Sequence, residues 1–528
     1  MSQDPHPPVW RRFAPTPAGA ARQRARVVVV GAGPVGLAVA LDLSRRGHAV
    51  TILNRREAIA AGSRAICFSQ RSLETFDRLG LGELTARGVT WSRGQVFWGA
   101  QERPVYAFDL QPVRDQKQPA FVNLQQYRVE DALIAALDDY PDTQLRWGHA
   151  VTGVTPLEEG VSLEVQARDA GYVIDADWVI ACDGARSSVR QALGLDFEGR
   201  VFEDNFLIAD IRMAQDRPAE RTFWFDPPFN PGQSALMHKQ PDNIWRLDFQ
   251  LGWNIDREAA VRPENVDPLV RALLGPEAVY EPEWYSVYTF QCRRMSRFVH
   301  DRTIFAGDSA HLVSPFGARG CNGGLADAVN LTWKLDRVLR GLSPAALLGS
   351  YDEEAVFAAD ENILQSSRST DFMTPKSATD RALRDAVLEL AQDLPFARGF
   401  VNSGRLAAPV AYPQSAMSTP DEDDWHTGPA PGTAAPDGPL DEGWLSERLG
   451  PGFSVLAAGW DHGPRPDLTL VDIAAPVATS ALARRYDLTP GAAYLLRPDG
   501  YVAARWRAPS PARLETALAR ACGSLQCP

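Results

Sequence analysis

Three glycines at a fixed spacing are the residues whose arrangement most clearly suggests chemistry. The segment GAGPVG at residues 31–36 follows a run of valines and precedes a stretch with helical periodicity. Gly31 allows a tight turn, Gly33 lets the main chain approach a pyrophosphate, and Gly36 lets the helix pack closely against the strand. Unpaired N–H groups at the start of the helix would face the phosphates. The segment predicts a dinucleotide site formed by Gly31, Gly33, Pro34, Val35 and Gly36.

The residue after the next β run departs from the usual dinucleotide pattern. An Asp or Glu normally accepts hydrogen bonds from the adenosine ribose there, whereas this chain has Asn54, followed by Arg55 and Arg56. An amide oxygen still accepts a hydrogen bond, but without charge assistance. We therefore predict cofactor contacts from Asn54 and Arg55. The sequence leaves open whether the arginines meet cofactor phosphate or solvent, with solvent favoured for at least one of them.

Two further segments follow the glycine turn. Residues 177–190 read DWVIACDGARSSVR, and residues 303–335 read TIFAGDSAHLVSPFGARGCNGGLADAVNLTWKL. In this order, the three motifs closely resemble the fingerprints of the single-component (class A) FAD-dependent aromatic hydroxylases, the group that contains para-hydroxybenzoate, phenol and hydroxyphenylpropionate hydroxylases. The resemblance covers roughly residues 26–370 and implies bound FAD. Because only one dinucleotide fingerprint is present, NAD(P)H is expected to bind transiently as a co-substrate.

The resemblance gives roles to acidic and basic residues of these segments. Asp308, directly after Gly307, would accept hydrogen bonds from the ribityl hydroxyls of FAD, and a solvated turn aspartate is the alternative. Asp183, Gly184 and Arg190 would lie on the pyrophosphate side and assist the nicotinamide donor. A structural salt bridge between Asp183 and Arg190 is the other interpretation of that segment.

Two positions earlier in the chain also match the family. The segment GSRA at residues 62–65 resembles an arginine loop that contacts FAD, which selects Arg64. Gln126, near the start of a predicted helix, matches the glutamine that binds the ribityl region. Gln125 is the rival for that role, because the register of the match is open by one residue.

The segment PFGARGCN at residues 315–322 is suited to lie against a flat ring. Its glycines let the main chain pass close to the ring, and Asn322 begins a helix whose amino terminus would stabilise the negative charge of a reduced flavin. The resemblance places Gly320, Cys321 and Asn322 beside the isoalloxazine, and Pro315 on the side where oxygen reacts. We therefore predict Pro315, Cys321 and Asn322 as the catalytic residues.

The reaction that the resemblance implies is the hydroxylation of a phenolic or other electron-rich aromatic ring with NAD(P)H and O₂, through a flavin hydroperoxide. A flavin-dependent halogenase of related fold is a second hypothesis, but the WxWxIP segment expected there is absent. A flavin-binding sensor or interaction protein is a third, because the motifs report cofactor binding more directly than turnover. Of the polar residues in the expected substrate region, His238, Arg246 and Tyr288 could deprotonate or hydrogen-bond a phenol, and the sequence does not choose between them.

The elements that must position these residues predict an α/β fold. Residues 26–200 and 300–404 form a Rossmann-like FAD-binding domain, interleaved with a β-sheet substrate domain at residues 201–299. Residues 1–25 lack apolar periodicity and predict a flexible arm. Residues 405–438, rich in Pro, Gly, Ala and Asp, predict a linker.

The last predicted domain spans residues 439–528. Its segment YLLRPDGYV at residues 494–502 resembles the thioredoxin-like domain appended to hydroxylases of phenols, phenylpropionates and aromatic polyketides. Because the CxxC pair needed for redox exchange is absent, we expect a structural or dimer-forming module rather than a disulfide oxidoreductase. A homodimer is therefore one assembly that the sequence allows.

Composition and charge exclude several other classes of function. The 528 residues are 45% apolar and 23% charged, and the net charge of −12 argues against nucleic-acid binding. Six cysteines and eight histidines lack ligand-like spacing, so no metal site is predicted. Cys522 and Cys527 could pair, although free thiols are favoured. No long apolar stretch or signal-peptide core is evident, so we expect a cytoplasmic protein that does not enter a membrane.

Overall fold

The computed structural model describes residues 9–60, 62–110, 115–214, 217–401, 406–463, 465–473 and 480–524. Its strands are β1 (Val9–Arg12), β2 (Arg22–Val30), β3 (Val50–Asn54), β4 (Ala58–Ala60), β5 (Cys67–Ser69), β6 (Val89–Trp91), β7 (Arg93–Trp98), β8 (Tyr106–Asp109), β9 (Phe121–Asn123), β10 (Gln144–Trp147), β11 (Ala150–Leu157), β12 (Gly160–Gln166), β13 (Gly171–Ala181), β14 (Glu198–Arg212), β15 (Arg221–Phe225), β16 (Ser234–Lys239), β17 (Ile244–Gly252), β18 (Glu281–Arg294), β19 (Val299–His300), β20 (Thr303–Phe305), β21 (His311–Leu312), β22 (Phe453–Ala457), β23 (Leu468–Asp472), β24 (Ala493–Leu496) and β25 (Val502–Trp506).

The helices are α1 (Pro34–Arg45), α2 (Gln70–Arg78), α3 (Leu84–Arg87), α4 (Gln126–Leu137), α5 (Ser188–Ala192), α6 (Arg257–Ala260), α7 (Pro263–Leu274), α8 (Arg319–Leu339), α9 (Leu347–Met373), α10 (Ala378–Asp393), α11 (Pro395–Arg398), α12 (Leu445–Arg448), α13 (Ala481–Arg485) and α14 (Pro511–Ala521). A single 3₁₀ turn, Gly307–Ser309, lies between β20 and β21.

The first large sheet carries the glycine turn. Its strands run in the order β10-β3-β2-β13-β12-β11, and β20 pairs with β13 on the far side from β2. The pairs of β2 with β3, β2 with β13, and β13 with β20 are all parallel. The last four residues of β2 are buried, because helices cover the sheet as expected for parallel strands. The carboxyl ends of β3, β2, β13 and β20 consequently meet at one edge.

Helices α1, α4 and α8 hold this edge. Pro34 begins α1, and its fixed φ suits the first helical turn. Leu37, Leu41 and other apolar residues of α1 are buried in the core that α1 shares with the sheet. Because α1 contacts both α4 and α8, the start of each helix is set relative to the same sheet edge.

The second large sheet has the order β21-β18-β14-β17-β16-β15-β7-β8. It contains the strands predicted at residues 201–299 but also β7 and β8, which the sequence had assigned to the FAD-binding range. The difference arises because β7 joins the sheet through parallel pairing with β15, Arg221↔Gly94 to Phe225↔Trp98, and no local pattern encodes such a distant partner.

The amino-terminal arm also differs from its prediction. Strand β1 pairs with β4, and β2 begins at Arg22, ahead of the predicted start of the domain. Trp10 stacks on Tyr127 with ring centroids 4.4 Å apart, and Phe13 stacks on Trp147 at 4.0 Å. From residue 9 onward the arm is therefore anchored by aromatic contacts with distant partners, while residues 1–8 lie outside the described residues.

The carboxyl-terminal domain is built on the sheet β23-β22-β24-β25. The described part of the predicted linker, residues 406–438, packs along this domain: Thr419 N donates to Ala503 O at 2.8 Å, and Gly432 N donates to Val502 O at 2.8 Å. Although this segment has few apolar residues to bury, main-chain hydrogen bonds to β25 hold it against the domain. Residues 402–405, 464, 474–479 and 525–528, with Cys527 among them, fall outside the described residues, and the thioredoxin-like character stays a prediction.

Within the described ranges, none of the helices has the length and apolar character needed to cross a membrane.

Candidate active site

The three sequence motifs lie side by side because of strand register. Val30 pairs with Leu53 and with Ala181, and Ala181 pairs in turn with Phe305. The hydrogen-bond ladder continues past these strand ends, since Cys182 N donates to Val30 O at 2.8 Å. The loops that follow the four strands therefore leave the sheet at the same edge. These loops carry Gly31, Asp183 and Asp308, and Asn54 is the last residue of β3 at the same edge.

The glycine turn has one open position and two crowded ones. A Cβ on Gly31, whose φ is +107°, would lie 2.4 Å from Cys182 O, and a Cβ on Gly36 would lie 2.0 Å from Gly31 O. A Cβ on Gly33 would meet nothing within 4 Å. Gly33 is also the N-cap of α1, and because glycine has no side chain it leaves the first N–H groups of the helix without a side-chain cap. Open space beside uncapped helix N–H groups is the environment that a pyrophosphate requires.

Val35 connects this turn to the third motif. A Cβ on Gly307 would lie 3.0 Å from Val35 Cγ2, and a Cβ on Gly324 would lie 2.6 Å from the same atom. The start of α1 is thus packed directly against the Gly307–Ser309 turn and the first turns of α8. Pro34 and Val35 remain partly exposed on the side away from this contact.

Asn54 is hydrogen-bonded to the glycine turn, and Arg56, which follows it closely in the chain, lies near two other arginines. Asn54 Oδ1 accepts from Ala32 N at 3.3 Å, and Asn54 Nδ2 donates to Arg56 O at 3.1 Å. Partial burial lowers the pKa of Arg56, and the charges of Arg64 and Arg55 lower it further. Three positive charges are therefore near one another, and Arg56 is linked to the turn through Asn54; a dianionic pyrophosphate beside them would neutralise positive charge.

Asp183 and Arg190 hold different segments. Asp183 Oδ2 accepts from Ser188 N at 2.6 Å and so caps α5, whereas the buried Asp183 Oδ1 has no hydrogen-bond partner. Arg190 Nη1 donates to Ser309 O at 2.9 Å, and Nη2 donates to Ala185 O at 2.8 Å. Arg190 therefore joins the second motif to the third. The unpartnered oxygen of Asp183 and the open position of Gly184, with a φ of +83°, leave this loop able to accept a ligand.

Four side chains from this edge and the second sheet lie near one another, because the charges of Arg64 and Asp308 act on the pKa values of their neighbours. Asp308 and Arg64 are accessible to solvent. Protein atoms around Asp308 nevertheless displace much of its water and raise its pKa, and the charges of His311 and Arg64 oppose that rise. Burial raises the pKa of Tyr288, which also senses the charges of Arg64 and Asp308. Burial likewise raises the pKa of Cys321, with Asp308 adding to the effect. We call the space between Arg64, Tyr288, Asp308 and Cys321 the edge opening.

The candidates His238 and Arg246 are buried in the second sheet, and Arg246 Nη2 donates to Ser63 O, next to Arg64, at 2.6 Å. His238 Nδ1 is 3.6 Å from Cys67 Sγ, and burial lowers the pKa of His238. Arg246 is buried and forms an ion pair with Asp210 at 2.7 Å. Of the three residues that the sequence left open for phenol chemistry, the structure places Tyr288 at the edge opening.

The predicted glutamine supports the arginine loop from behind. Gln126 Oε1 accepts from Ala65 N at 3.0 Å, and Gln126 N donates to Ser63 Oγ at 3.0 Å. The rival Gln125 is buried and donates to Pro241 O at 3.3 Å, toward the second sheet. Gln126 therefore contacts both residues that flank Arg64.

The amide of Asn322 is fully used inside the protein. Its Oδ1 accepts from Ser69 N at 3.0 Å and from Ser72 Oγ at 2.6 Å. Its Nδ2 donates to Cys67 O at 2.9 Å and to Ala318 O. The side chain thus bridges β5, the first turn of α2 and the start of α8. Only the main chain of Asn322 remains free to face a cofactor.

The loop before α8 reaches the second sheet. Pro315 is exposed, while Phe316 is buried with its ring centroid 5.1 Å from that of Phe206 and 5.3 Å from that of Phe290. Gly320 and Cys321 are partly exposed in the first turn of α8. Residues 315–322 therefore lie between the edge opening and the aromatic face of the second sheet.

Sequence reasoning missed two acidic residues at this site. Asp327 Oδ2 accepts from His311 Nε2 at 2.7 Å and from Gly307 N at 2.9 Å, so it fixes the turn that carries Asp308. Glu130 is buried on α4, accepts from Gln126 Nε2 at 2.7 Å, and has its pKa raised to about 7 by burial. The signal for Glu130 was its position four residues after Gln126 on one helical face.

The residues present fit FAD. The open Gly33, the arginine cluster, the unpartnered Asp183 oxygen and the exposed carboxylate of Asp308 supply the groups that a dinucleotide and a ribityl chain need. Among the described residues, no group of three or more His, Cys, Asp or Glu side chains is arranged to hold a metal ion.

Comparison with known proteins agrees with this geometry. The model of the FAD binding domain family matches residues 24–366. A probable NADH-specific resorcinol 4-hydroxylase of Rhodococcus jostii is 30% identical over 92% of this chain and 93% of its own length. A 3-(3-hydroxy-phenyl)propionate/3-hydroxycinnamic acid hydroxylase of Mycolicibacterium smegmatis is 29% identical over 83% of this chain and 77% of its own length.

Solved structures of similar fold extend over nearly the whole chain. The flavin-dependent monooxygenase PieE, in complex with FAD and substrate, superimposes with a TM-score of 0.80 at 23% identity, covering 95% of this chain and 99% of PieE. Aklavinone-11 hydroxylase with FAD and aklavinone gives a TM-score of 0.77 at 21% identity, covering 94% of this chain and 99% of its own. These similarities confirm the predicted mixed α/β fold.

Proposed function

This chain belongs to the FAD binding domain family, and we propose that the residues at the edge opening bind FAD and present a phenolic ring to it. The protein is an FAD-dependent monooxygenase that hydroxylates an aromatic substrate with NAD(P)H and O₂. The observation that carries the proposal for the site is the meeting of three motifs at one sheet edge, opposite Tyr288 of the second sheet.

The proposed FAD contacts follow from the site geometry. The pyrophosphate would lie at Gly33 and the start of α1, where the positive charges of Arg55 and Arg64 favour it. Asp308 would accept hydrogen bonds from ribityl hydroxyls, and Asn54 would accept them from the ribose. Bound FAD would supply the redox chemistry, accepting a hydride from NAD(P)H and activating O₂ for transfer of one oxygen atom to the ring.

The start of α8 supplies the polar environment of the flavin ring. Ala318, the N-cap, adopts a left-handed conformation with a φ of 54° and makes no side-chain cap bond. The first N–H groups of α8 are therefore available to stabilise negative charge on a neighbouring ring. Phe316, Phe206 and Phe290 exclude water on the side of the second sheet.

Tyr288 is the proposed substrate contact. Because its pKa is raised, its hydroxyl stays protonated at neutral pH and can donate a hydrogen bond to the oxygen of a phenol. Such a bond stabilises the phenolate form, which makes the ring more electron-rich and more reactive toward an electrophilic oxygen. A phenol is also the type of compound named for the relatives that act on resorcinol and on 3-(3-hydroxyphenyl)propionate.

Anaerobic reduction tests this proposal. The purified flavoprotein is mixed with NADH or NADPH, and flavin bleaching is followed with and without a panel of phenols that includes resorcinol and 3-(3-hydroxyphenyl)propionate. We expect at least one phenol to accelerate bleaching and, after admission of ¹⁸O₂, to yield a product that carries one labelled oxygen atom. Absence of labelled product from every phenol in the panel would contradict the proposed substrate class.

Two finer proposals concern the setting of the enzyme. The five cysteines within the described residues are free thiols, which supports a reducing compartment such as the cytoplasm. The exposed rings of Phe396, in α11, and of Phe400, shortly after it, support self-association into a homodimer. Light scattering on the purified enzyme tests the dimer, and fractionation of the producing cells tests the compartment.

A further inference from the structure

One turn of the carboxyl-terminal domain reaches into the FAD-binding domain. The turn joins β24 to β25 and consists of Arg497, Pro498, Asp499 and Gly500, closed by a 2.8 Å bond from Gly500 N to Arg497 O. Arg497 and Asp499 are almost completely buried although both are charged. We call these four residues the β24–β25 turn.

Helix α2 is bonded to the main chain of this turn. Arg71 Nη2 donates to Asp499 O, and Arg78 Nη1 donates to Pro498 O at 2.9 Å. Gly500 has a φ of +74°, and a Cβ there would lie 2.9 Å from Arg71 Nη2. The turn therefore fits closely against two arginines that lie two helical turns apart on α2.

Helices α8 and α9 are bonded to the side chains of the same turn. Trp333 Nε1 of α8 donates to Asp499 Oδ2 at 3.1 Å. Arg497 donates to both oxygens of Glu354 on α9, at 2.6 and 2.9 Å, and Lys334 of α8 donates to the same carboxylate at 2.9 Å. The cluster balances two acidic groups with two basic ones, so removal of a single charged partner leaves another charge buried and unpaired.

The apolar core of the carboxyl-terminal domain also includes α8. Trp333 is packed with Val455, Leu495 and other residues of that domain, and its ring meets Phe453 edge to face with centroids 5.6 Å apart. On the other face of the same sheet, Leu456 of β22 packs in a separate cluster with residues that follow α13, Leu488 among them. One apolar face of this sheet thus shares its core with α8, whereas the apolar cluster on the other face contains no residue of the FAD-binding domain.

The first turns of α2 and α8 meet at Asn322. Ser72, the neighbour of Arg71 on α2, donates to Asn322 Oδ1 at 2.6 Å. Asn322 lies in the first turn of α8, and Trp333 follows it by three turns of the same helix. The two helices that the β24–β25 turn joins are therefore also the two that Asn322 joins beside the proposed flavin position.

We propose that the β24–β25 turn is a positioning element of the flavin site, with Arg71 and Trp333 as the positioning residues through which it acts. By holding α2 and α8 together, the turn sets where the main chain of Cys321 and Asn322 lies against the ring. The carboxyl-terminal domain is then a structural part of the cofactor site. This inference rests on the flavin position given under the proposed function.

Two variants and one control test the inference in the intact holoenzyme. Arg71→Met removes the bond to Asp499 O while keeping the length of the side chain, and Trp333→Phe removes one N–H donor while keeping most of the packing. Leu488→Ala is the control, because it opens a cavity in the apolar cluster that contains no residue of the FAD-binding domain. The measurements are the FAD dissociation rate, the visible circular dichroism of bound flavin and its reduction potential, together with the melting temperature.

We expect FAD to dissociate at least threefold faster from Arg71→Met and Trp333→Phe, with altered flavin dichroism and a shifted reduction potential. Arg71→Lys, which keeps a positive donor, should recover part of the wild-type behaviour. Leu488→Ala should lower the melting temperature and leave all three flavin measurements at their wild-type values. Wild-type flavin behaviour in both variants would overturn the inference. So would equal changes in the control at the same loss of stability. None of these measurements uses an aromatic substrate, so a failure to hydroxylate phenols would count against the proposed function alone.

Discussion

Gln126 Nε2 donates to Glu130 Oε1 at 2.7 Å, so one turn of α4 links the arginine loop to a buried carboxyl group. The same Gln126 accepts from the main chain of Ala65, the residue after Arg64. The protonation state of Glu130 therefore bears on the loop that carries the predicted FAD-binding arginine.

The first prediction concerns the pH dependence of the FAD-free protein. Burial raises the pKa of Glu130 to about 7 from a value near 4.5 in the unfolded chain. The stability of a fold that buries Glu130 in its protonated form is therefore fully present below about pH 4.5. The free energy of unfolding then falls as the pH rises through about 7 and Glu130 ionises. We expect Glu130→Gln, which keeps the hydrogen bond from Gln126, to raise the melting temperature more at pH 8 than at pH 5. An equal effect at both values would show that Glu130 is not a buried titrating group.

The second prediction separates two glycines of the turn. A Cβ on Gly33 has free space in the folded protein, so Gly33→Ala should fold with wild-type stability. The variant should nevertheless raise the FAD dissociation constant at least about tenfold, because its methyl group occupies the pyrophosphate position. A Cβ on Gly36 meets Gly31 O at 2.0 Å, so Gly36→Ala should lower the melting temperature even without FAD. Thermal unfolding of both apoproteins and FAD titration distinguish the two effects. Normal FAD affinity in Gly33→Ala would place the pyrophosphate elsewhere.

The third prediction concerns Asp308. A charge-assisted hydrogen bond contributes about 1.5–3 kcal/mol, so Asp308→Asn should raise the FAD dissociation constant about 10- to 100-fold. Asp301→Asn, at an exposed aspartate in the turn before β20, is the matched control and should bind FAD as the wild type does. Fluorescence titration of FAD into the apoproteins measures both. An Asp308→Asn protein that stays fully yellow through gel filtration would show that the ribityl contact lies at another residue.

The fourth prediction concerns Tyr288. Loss of one neutral hydrogen bond costs about 1 kcal/mol, so Tyr288→Phe should lower kcat/KM for the preferred phenol about fivefold with FAD content unchanged. Tyr285→Phe serves as the control, because Tyr285 lies on the opposite face of β18 and packs in a different cluster. Steady-state kinetics and the flavin absorbance ratio give the comparison. Equal losses in both variants would assign the effect to the stability of the second sheet.

The sequence predicted the α/β fold and the FAD-binding family well because those features depend on local patterns. A valine run, a glycine turn and the GD segment each specify a strand end within a few residues. The membership of β7 and β8 in the second sheet was not predictable in this way, since their pairing joins segments more than 100 residues apart. The anchoring of the arm by Trp10 and Phe13 was missed for the same reason.

By itself, the sequence determined what the main chain must do at most motifs: turn at Gly31, leave space at Gly33, and begin a helix at Pro34. The predicted helix start at Asn322 was wrong, because α8 begins three residues earlier, at Arg319. These requirements are local, because they concern the φ angle and the Cβ of single residues. Only the tertiary structure decided which side chains meet at the edge opening, because strand register and packing bring distant residues together. It brought Tyr288 near Arg64 and Asp308, gave Glu130 its raised pKa through burial, and placed the β24–β25 turn against α2 and α8.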